Sequence, residues 1–260
     1  MMNWLYVLPD GLIVAVFTGF FGGAVVLLPY LLAIFRIFRP NADNTDFILR
    51  IQSSLFAMTA FALAFTLVQA QGNFRRVEGI VLAEAAQINT LDRLLTRYGE
   101  ESVGAIRPSL LAYAQSIVKD EWPKLIDEGD SAVTARAFVP VARAITAINA
   151  SSGRQTSLYS EMLKSLDVIA ESRESRIDAA KIALPAVYWV VVWLAMGVLV
   201  AASCAVVRTS FRTFFLAAQA AILGAFIGVV FITDHPFKGQ TSVGPDALNK
   251  VIVAIESRSS

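Results

Sequence analysis

The sequence predicts an all-α integral membrane protein with four transmembrane helices and a helical soluble insert between the second and the third. Three observations support this fold class. Hydrophobic residues make up 56% of the 260 residues, charged residues make up 17%, and the mean hydropathy is +0.59, which is not typical of a soluble chain. Of the 22 basic and 21 acidic residues, 29 lie between Arg75 and Lys181. Outside that segment are four uncharged windows, each longer than the roughly 20 residues that a helix needs to cross a bilayer.

The four windows are residues 11–35, 51–74, 182–207 and 213–233, and we predict a transmembrane helix in each. The first is not interpreted as a signal peptide, because no basic residue precedes it and it is longer than a typical apolar signal region. Together with the single cysteine, Cys204, this composition excludes a soluble globular enzyme, a disordered chain and a disulfide-rich scaffold.

The insert, residues 75–181, contains 14 basic and 15 acidic residues and no strand-like alternation, so it is predicted to be helical. Turn residues divide it into four helices. The first helix ends at Tyr98, and the second runs from Pro108 to Val118 and is closed by Trp122-Pro123. The third spans about 132–148, and the fourth begins at Thr156. The balanced charge provides no basic stripe for nucleic acid. The tail, 234–260, contains a short amphipathic helix that could pack on the insert or lie at the membrane surface, and we expect the packing.

The second span contains polar side chains at intervals of seven residues, which places them on one face of a helix. Amide and hydroxyl groups in a membrane face a protein interior or water rather than lipid. One interpretation is a pore lining with hydrophobic constrictions at Phe56 and Leu63. The other is a hydrogen-bonding face inside a closed bundle. The opposite side carries Phe61 and Phe65, packed or facing lipid. The candidate pore-lining residues are Gln52, Phe56, Thr59, Leu63, Thr66, Gln69 and Asn73.

Small residues at four-residue spacing also occur in the spans, as in the pair Gly19 and Gly23 and the row Ala220, Gly224 and Gly228. Such rows allow two helix backbones to approach closely. They are explained either by packing within one chain or by a seam between copies.

Several function classes are disfavoured by what the sequence lacks. No acidic, basic or histidine side chain lies inside a span, whereas ion-coupled transporters keep such a group near the bilayer centre. One histidine, His235, and one cysteine cannot form a zinc cluster. We therefore expect neither an enzyme nor a bound cofactor or metal.

Three segments together resemble a known family. They are VEGIVLAEAAQI after the second span, LAYAQSIVKDEWPKL from Leu111 to Leu125, and DHPFKGQTSVGP from Asp234 to Pro245. The chain resembles the bestrophin-like membrane proteins of bacteria and plants over nearly its whole length. The most specific motif residues are Glu121, Trp122, Pro123, Asp234, Pro236, Phe237 and Gly239.

This resemblance implies kinship with bestrophins, which are pentameric anion channels with a second span that lines the pore and a neck of apolar side chains. Our first hypothesis is therefore a homo-oligomeric channel for small anions in the bacterial cytoplasmic (inner) membrane, with Arg75 and Arg76 at the pore mouth, where a basic ring favours anions and neighbouring Glu78 offsets part of the charge. No calcium site is carried over, because the tail lacks a clear acidic cluster. The alternative is a non-conducting scaffold or sensor whose insert binds a partner.

The side of the membrane on which the insert lies stays open. Arg36, Arg39, Arg50, Arg208 and Arg212 in the short connections favour an insert outside the cytoplasm. The resemblance implies an insert in the cytoplasm.

Overall fold

The computed structural model describes residues 3–34, 42–127 and 129–258, and these form helices joined by turns and short loops, with no strand among them. The chain divides into two compact units. We call Met1–Phe74 with Ala183–Ser242 the membrane unit, and Arg75–Ile182 with Val243–Ser260 the insert unit. The α-helices are α1 (Asp10–Ile34), α2 (Ala42–Tyr98), α3 (Glu101–Gly104), α4 (Arg107–Ser116), α5 (Trp122–Leu125), α6 (Ala132–Thr146), α7 (Gly153–Ala179), α8 (Ala186–Cys204), α9 (Ser210–Asp234) and α10 (Asp246–Ser257).

Four of these helices, α1, α2, α8 and α9, are long and apolar enough to cross a membrane. They overlap the four predicted windows but differ at their ends. The helix predicted from residue 182 begins at Ala186, because Pro185 is its N-cap residue. The second predicted span and the first predicted insert helix are parts of one helix, α2, which has 57 residues. At 1.5 Å per residue, α2 is about 85 Å long.

Some of the charged residues that bear on the orientation of the insert lie outside the described residues. Residues 35–41, which include Arg36 and Arg39, are not described, and neither is Glu128. A 3-10 helix, Asn3–Val7, precedes α1.

Close packing of α1 on α9 depends on two glycines of α9. A Cβ atom at Gly224 would lie 2.6 Å from the carbonyl oxygen of Phe17, and one at Gly228 would lie 2.9 Å from a backbone atom of α1. A Cβ atom at Gly19 or Gly23 would meet nothing within 4 Å. The small residues of α9 therefore serve packing within the chain, whereas that packing does not require Gly19 and Gly23.

The predicted end of the second insert helix at Trp122-Pro123 needs correction. A π-helical segment, Ile117–Glu121, continues α4 directly into α5. The N–H of Trp122 donates to the carbonyl of Ile117, five residues earlier. Because Pro123 has no N–H, a wider turn here carries the chain past the proline without a sharp break.

The other insert helices begin at recognisable caps. Ser131 accepts a hydrogen bond from the N–H of Thr134 at the start of α6. Ser152 and Gln155 form a capping box at the start of α7. In the tail, α10 follows Pro245. Its apolar face packs into the core of the insert unit through Leu248, Val251 and Ile255.

Candidate functional site

The polar stripe of α2 is largely buried inside the membrane unit of a single chain. The side-chain amide of Gln52 donates to Ser203 Oγ at 2.9 Å and to the carbonyl of Leu199 at 3.3 Å. The buried hydroxyls of Thr59 and Thr66 donate to carbonyls of α2 itself at 2.7 and 2.8 Å. The contacts of Gln52 with α8 fit the second interpretation of the stripe, a hydrogen-bonding face within one bundle, whereas the two threonine hydroxyls bond only within α2.

The apolar residues of the stripe share that environment. Leu63 is fully buried, and the half-buried Phe56 packs against the same apolar cluster of the membrane unit. A constriction made from them would require this packing to open. Of the other candidate lining residues, Gln69 is exposed and Asn73 is half-buried.

The opposite face of α2 in the membrane unit is exposed and apolar. Met58, Phe61, Phe65 and Val68 follow one another at spacings of three and four residues, and between 56% and 77% of each residue is exposed. Tyr188 of α8 stacks beside Phe65, with ring centroids 6.4 Å apart, but the described part of the chain leaves most of this face uncovered.

The exposed face of α2 in the insert unit is basic. Arg75 and Arg76, the predicted pore mouth, are exposed. Helical spacing places Arg93 and Arg97, which are also exposed, on the same face. The sequence alone did not single them out, because four arginines over 23 residues do not form a dense basic run.

The Glu-Trp-Pro motif lies in a buried ion network of the insert unit. Arg176, with no exposed surface, forms ion pairs with Glu84 at 2.6 Å and Glu121 at 2.8 Å. Arg173 binds the other side of Glu121. Burial alone would lower the pKa of Arg176, but the two carboxylates more than offset it and raise that pKa above its ordinary value.

The ring of Trp122 also contacts this network, because its centroid lies 5.6 Å from the Arg176 guanidinium, within cation–π range. The motif therefore joins α2, the π-helical segment and α7. Sequence reasoning singled out Glu121 and Trp122 by resemblance but missed Glu84 and Arg176, which are 92 residues apart.

The second family motif organises the end of α9 within the membrane unit. Asp234 accepts hydrogen bonds from the N–H of Leu184 at 2.6 Å and from the indole of Trp189 at 3.3 Å. These contacts tie the end of α9 to the start of α8. His235 stacks on Tyr6, with ring centroids 5.4 Å apart.

The rest of that motif shapes the following turn. Pro236 and Phe237 are buried, and Gly239 has a φ of +87°, which favours glycine. Thr241 donates two hydrogen bonds to the carboxylate of Asp10, one from its hydroxyl and one from its N–H at 3.1 Å. These bonds hold the turn against the start of α1. Among the described residues, no group of three His, Cys, Asp or Glu side chains could hold a metal ion.

A family model described as the Bestrophin-like domain matches residues 11–248. This chain belongs to the Bestrophin-like family. A search of curated proteins found no match.

Solved structures share the fold of this Bestrophin-like protein at low sequence identity. One is a bacterial bestrophin homologue from Klebsiella pneumoniae carrying a single substitution, with 14% identity and a TM-score of 0.68 over 96% of this chain and 99% of that one. Another variant of the Klebsiella pneumoniae homologue has 13% identity and a TM-score of 0.69 over 93% and 96% of the two chains. A third, the structure of a membrane protein with a single substitution, has 14% identity and a TM-score of 0.67 over 96% of this chain and 98% of that one.

Proposed function

We propose that this protein is a homo-oligomeric ion channel of the bacterial cytoplasmic membrane that passes small anions along a pore lined by α2. The observation that carries the proposal is the exposed face of α2, which is apolar in the membrane unit and basic in the insert unit. An apolar constriction followed by a basic ring is an arrangement that admits and attracts anions.

Contacts between copies explain why this face is uncovered. Large exposed apolar patches mark interaction surfaces or lipid contacts. Lipid contact alone accounts for Phe61 and Phe65 but not for arginines that continue the same helical spacing. Several α2 helices around one axis, as in the pentameric bestrophins, would place both groups along an ion path.

The proposal revises the candidate lining. Met58, Phe61, Phe65 and Val68 take the role of the constriction, in place of Phe56 and Leu63. Behind them, Gln52 joins α2 to α8, and Thr59 and Thr66 lie buried inside the bundle. Gln69 and Asn73 lie at the edge of the lining, and Arg75 and Arg76 remain its mouth.

Ion flux from liposomes containing the purified protein tests this function. We expect chloride flux above that of protein-free vesicles, and a higher flux for Phe61→Ala, because a smaller side chain widens the constriction. Phe20→Ala is the matched control, since Phe20 is 60% exposed on α1. It should leave flux unchanged.

Substituting an arginine of the pore mouth tests the selectivity for anions over cations. Arg75→Glu should lower the ratio of chloride to sodium permeability, because it puts a negative charge where anions enter. If no variant conducts above protein-free vesicles, the channel function fails and the non-conducting scaffold becomes the better account. If Phe61→Ala and Phe20→Ala behave alike, the lining proposed here is wrong.

A further inference from the structure

In the insert unit, α2 segregates its charges between two faces. Its acidic residues Glu84 and Asp92 are fully buried and paired with arginines, and Glu78 is exposed to one side of the basic face. Glu78 lies three residues from Arg75, whereas no carboxylate of α2 lies three or four residues from Arg93 or Arg97. In order, the exposed residues of the basic face are Arg75, Arg76, Gly79, Leu82, Ala83, Ala86, Thr90, Arg93 and Arg97.

The two arginines at the C-terminal end of this face, Arg93 and Arg97, differ from other arginines of the insert unit in their polar contacts. Arg107, Arg173 and Arg176 of the same unit all form ion pairs. The guanidinium groups of Arg93 and Arg97, by contrast, form no hydrogen bond or ion pair with any described residue. Their positive charge is therefore available to an ion in solution.

Acidic residues beyond the end of α2 leave this charge uncompensated. Glu100 accepts a hydrogen bond from Gln155 at 2.6 Å instead of pairing with Arg97. Glu101 is the first residue of α3, where a carboxylate is stabilised by the helix dipole.

The two pairs of arginines are far enough apart to act separately. Arg75 and Arg93 are 18 residues apart on one helix, a separation of about 27 Å at 1.5 Å per residue. This exceeds the screening length of about 8 Å at physiological ionic strength. Three of the exposed residues between the pairs, Gly79, Ala83 and Ala86, are small and leave room for hydrated ions, and Leu82 is the one large apolar side chain exposed among them.

We propose that Arg93 and Arg97 form a second anion-attracting ring, distinct from the mouth at Arg75 and Arg76, which concentrates small inorganic anions and sets charge selectivity. The proposal rests on the proposed channel function, because α2 helices from several copies must face one axis for the arginines to form a ring. Dissolved salt would screen the potential of a single ring at Arg75 and Arg76 before it reached ions near Arg93 and Arg97.

The first test measures the chloride-to-sodium permeability ratio from reversal potentials in planar bilayers. The double variant Arg93→Gln, Arg97→Gln should still conduct, and its ratio should fall about sevenfold for each kT of potential removed, because that potential raises the local chloride concentration and lowers the local sodium concentration by about threefold each. Lys250→Gln is the control, because Lys250 is an exposed cation of the same unit on α10. An unchanged ratio in the double variant would overturn the proposal.

A second measurement does not depend on flux. A fluorescent bimane label is attached at Thr90→Cys, an exposed position three residues from Arg93, and quenching by iodide is compared with quenching by neutral acrylamide. The native Cys204 is buried. The iodide-to-acrylamide ratio should be several-fold higher with Arg93 and Arg97 present than in the double variant.

The two measurements separate the failure of each proposal. If wild-type protein does not conduct, the channel function fails, and the quenching ratio alone decides whether this face concentrates anions. If it conducts but the permeability ratio does not depend on Arg93 and Arg97, the second ring is refuted while the channel stands, whatever the quenching ratio shows.

Discussion

Four charged side chains inside the insert unit compensate one another. Glu84 and Glu121 share Arg176, and Arg173 supplies the second positive charge. A buried charge without a partner is strongly destabilising, whereas a complete pair is close to neutral in free energy. The network therefore makes the arrangement of α2, the π-helical segment and α7 specific, because any other arrangement leaves a charge unpaired.

Removing one member should reveal this dependence. Arg176→Met leaves two buried carboxylates without their shared partner and should lower the free energy of unfolding by about 3–5 kcal/mol. Lys181→Met removes an exposed ion pair with Asp178 and should change it by about 1 kcal/mol or less. Thermal unfolding of the purified protein in detergent makes the comparison. Equal shifts for the two variants would show that the network does not stabilise the insert unit.

At the scale of an element, α1 contains a proline that removes a helical hydrogen bond, and another part of the membrane unit replaces that bond. Pro29 has no N–H to donate to the carbonyl of Val25. Arg208 donates to that carbonyl at 2.6 Å and to the next, Val26, at 3.0 Å. Its guanidinium also lies 5.2 Å from the ring of Tyr30. Arg208 thus connects the segment before α9 to the proline turn of α1.

This connection predicts a specific coupling between two residues. Arg208→Gln should destabilise the protein by about 1.5–3 kcal/mol, the value of a hydrogen bond to a charged group. In a Pro29→Ala background the loss should be smaller, because the restored N–H at position 29 can donate to Val25. A double-mutant cycle on the melting temperature measures the difference. Additive effects would contradict this explanation.

The glycines of α1 and α9 should differ sharply in their tolerance of alanine. Gly224→Ala places a methyl group 2.6 Å from a carbonyl oxygen and should cost about 1–3 kcal/mol. Gly23→Ala meets no atom of its own chain and should leave the melting temperature of the protomer unchanged. Thermal unfolding of the two variants checks this. Comparable losses would mean that α1 and α9 pack differently.

Local signals in the sequence located several helix ends. Tyr98-Gly99 ends α2 because Gly99 adopts a φ of +86°, and Pro245 precedes α10. The π-helical segment was missed, since Pro123 is a good helix breaker unless the turn before it widens. Partners distant in sequence, such as Glu84 with Arg176 or Val25 with Arg208, have no local signal at all.

On the scale of the whole molecule, one long helix contributes to both units. The polar stripe of α2 faces the bundle, and its apolar and basic face remains uncovered. Seven-residue spacing showed which residues of α2 share a face, but it could not show which face the same chain covers. Polar residues such as Gln52 were assigned to a pore because both a pore and a bundle interior shield amides from lipid.

Cysteine modification of two adjacent residues tests the central claim, that the exposed face of α2 lines the ion path. Phe65→Cys places a thiol on the exposed face, and Thr66→Cys places one on the buried stripe. The account predicts that an anionic methanethiosulfonate reagent reduces chloride flux through the Phe65→Cys channel and leaves the Thr66→Cys channel unaffected. Block of the Thr66→Cys channel, with the Phe65→Cys channel unaffected, would contradict it.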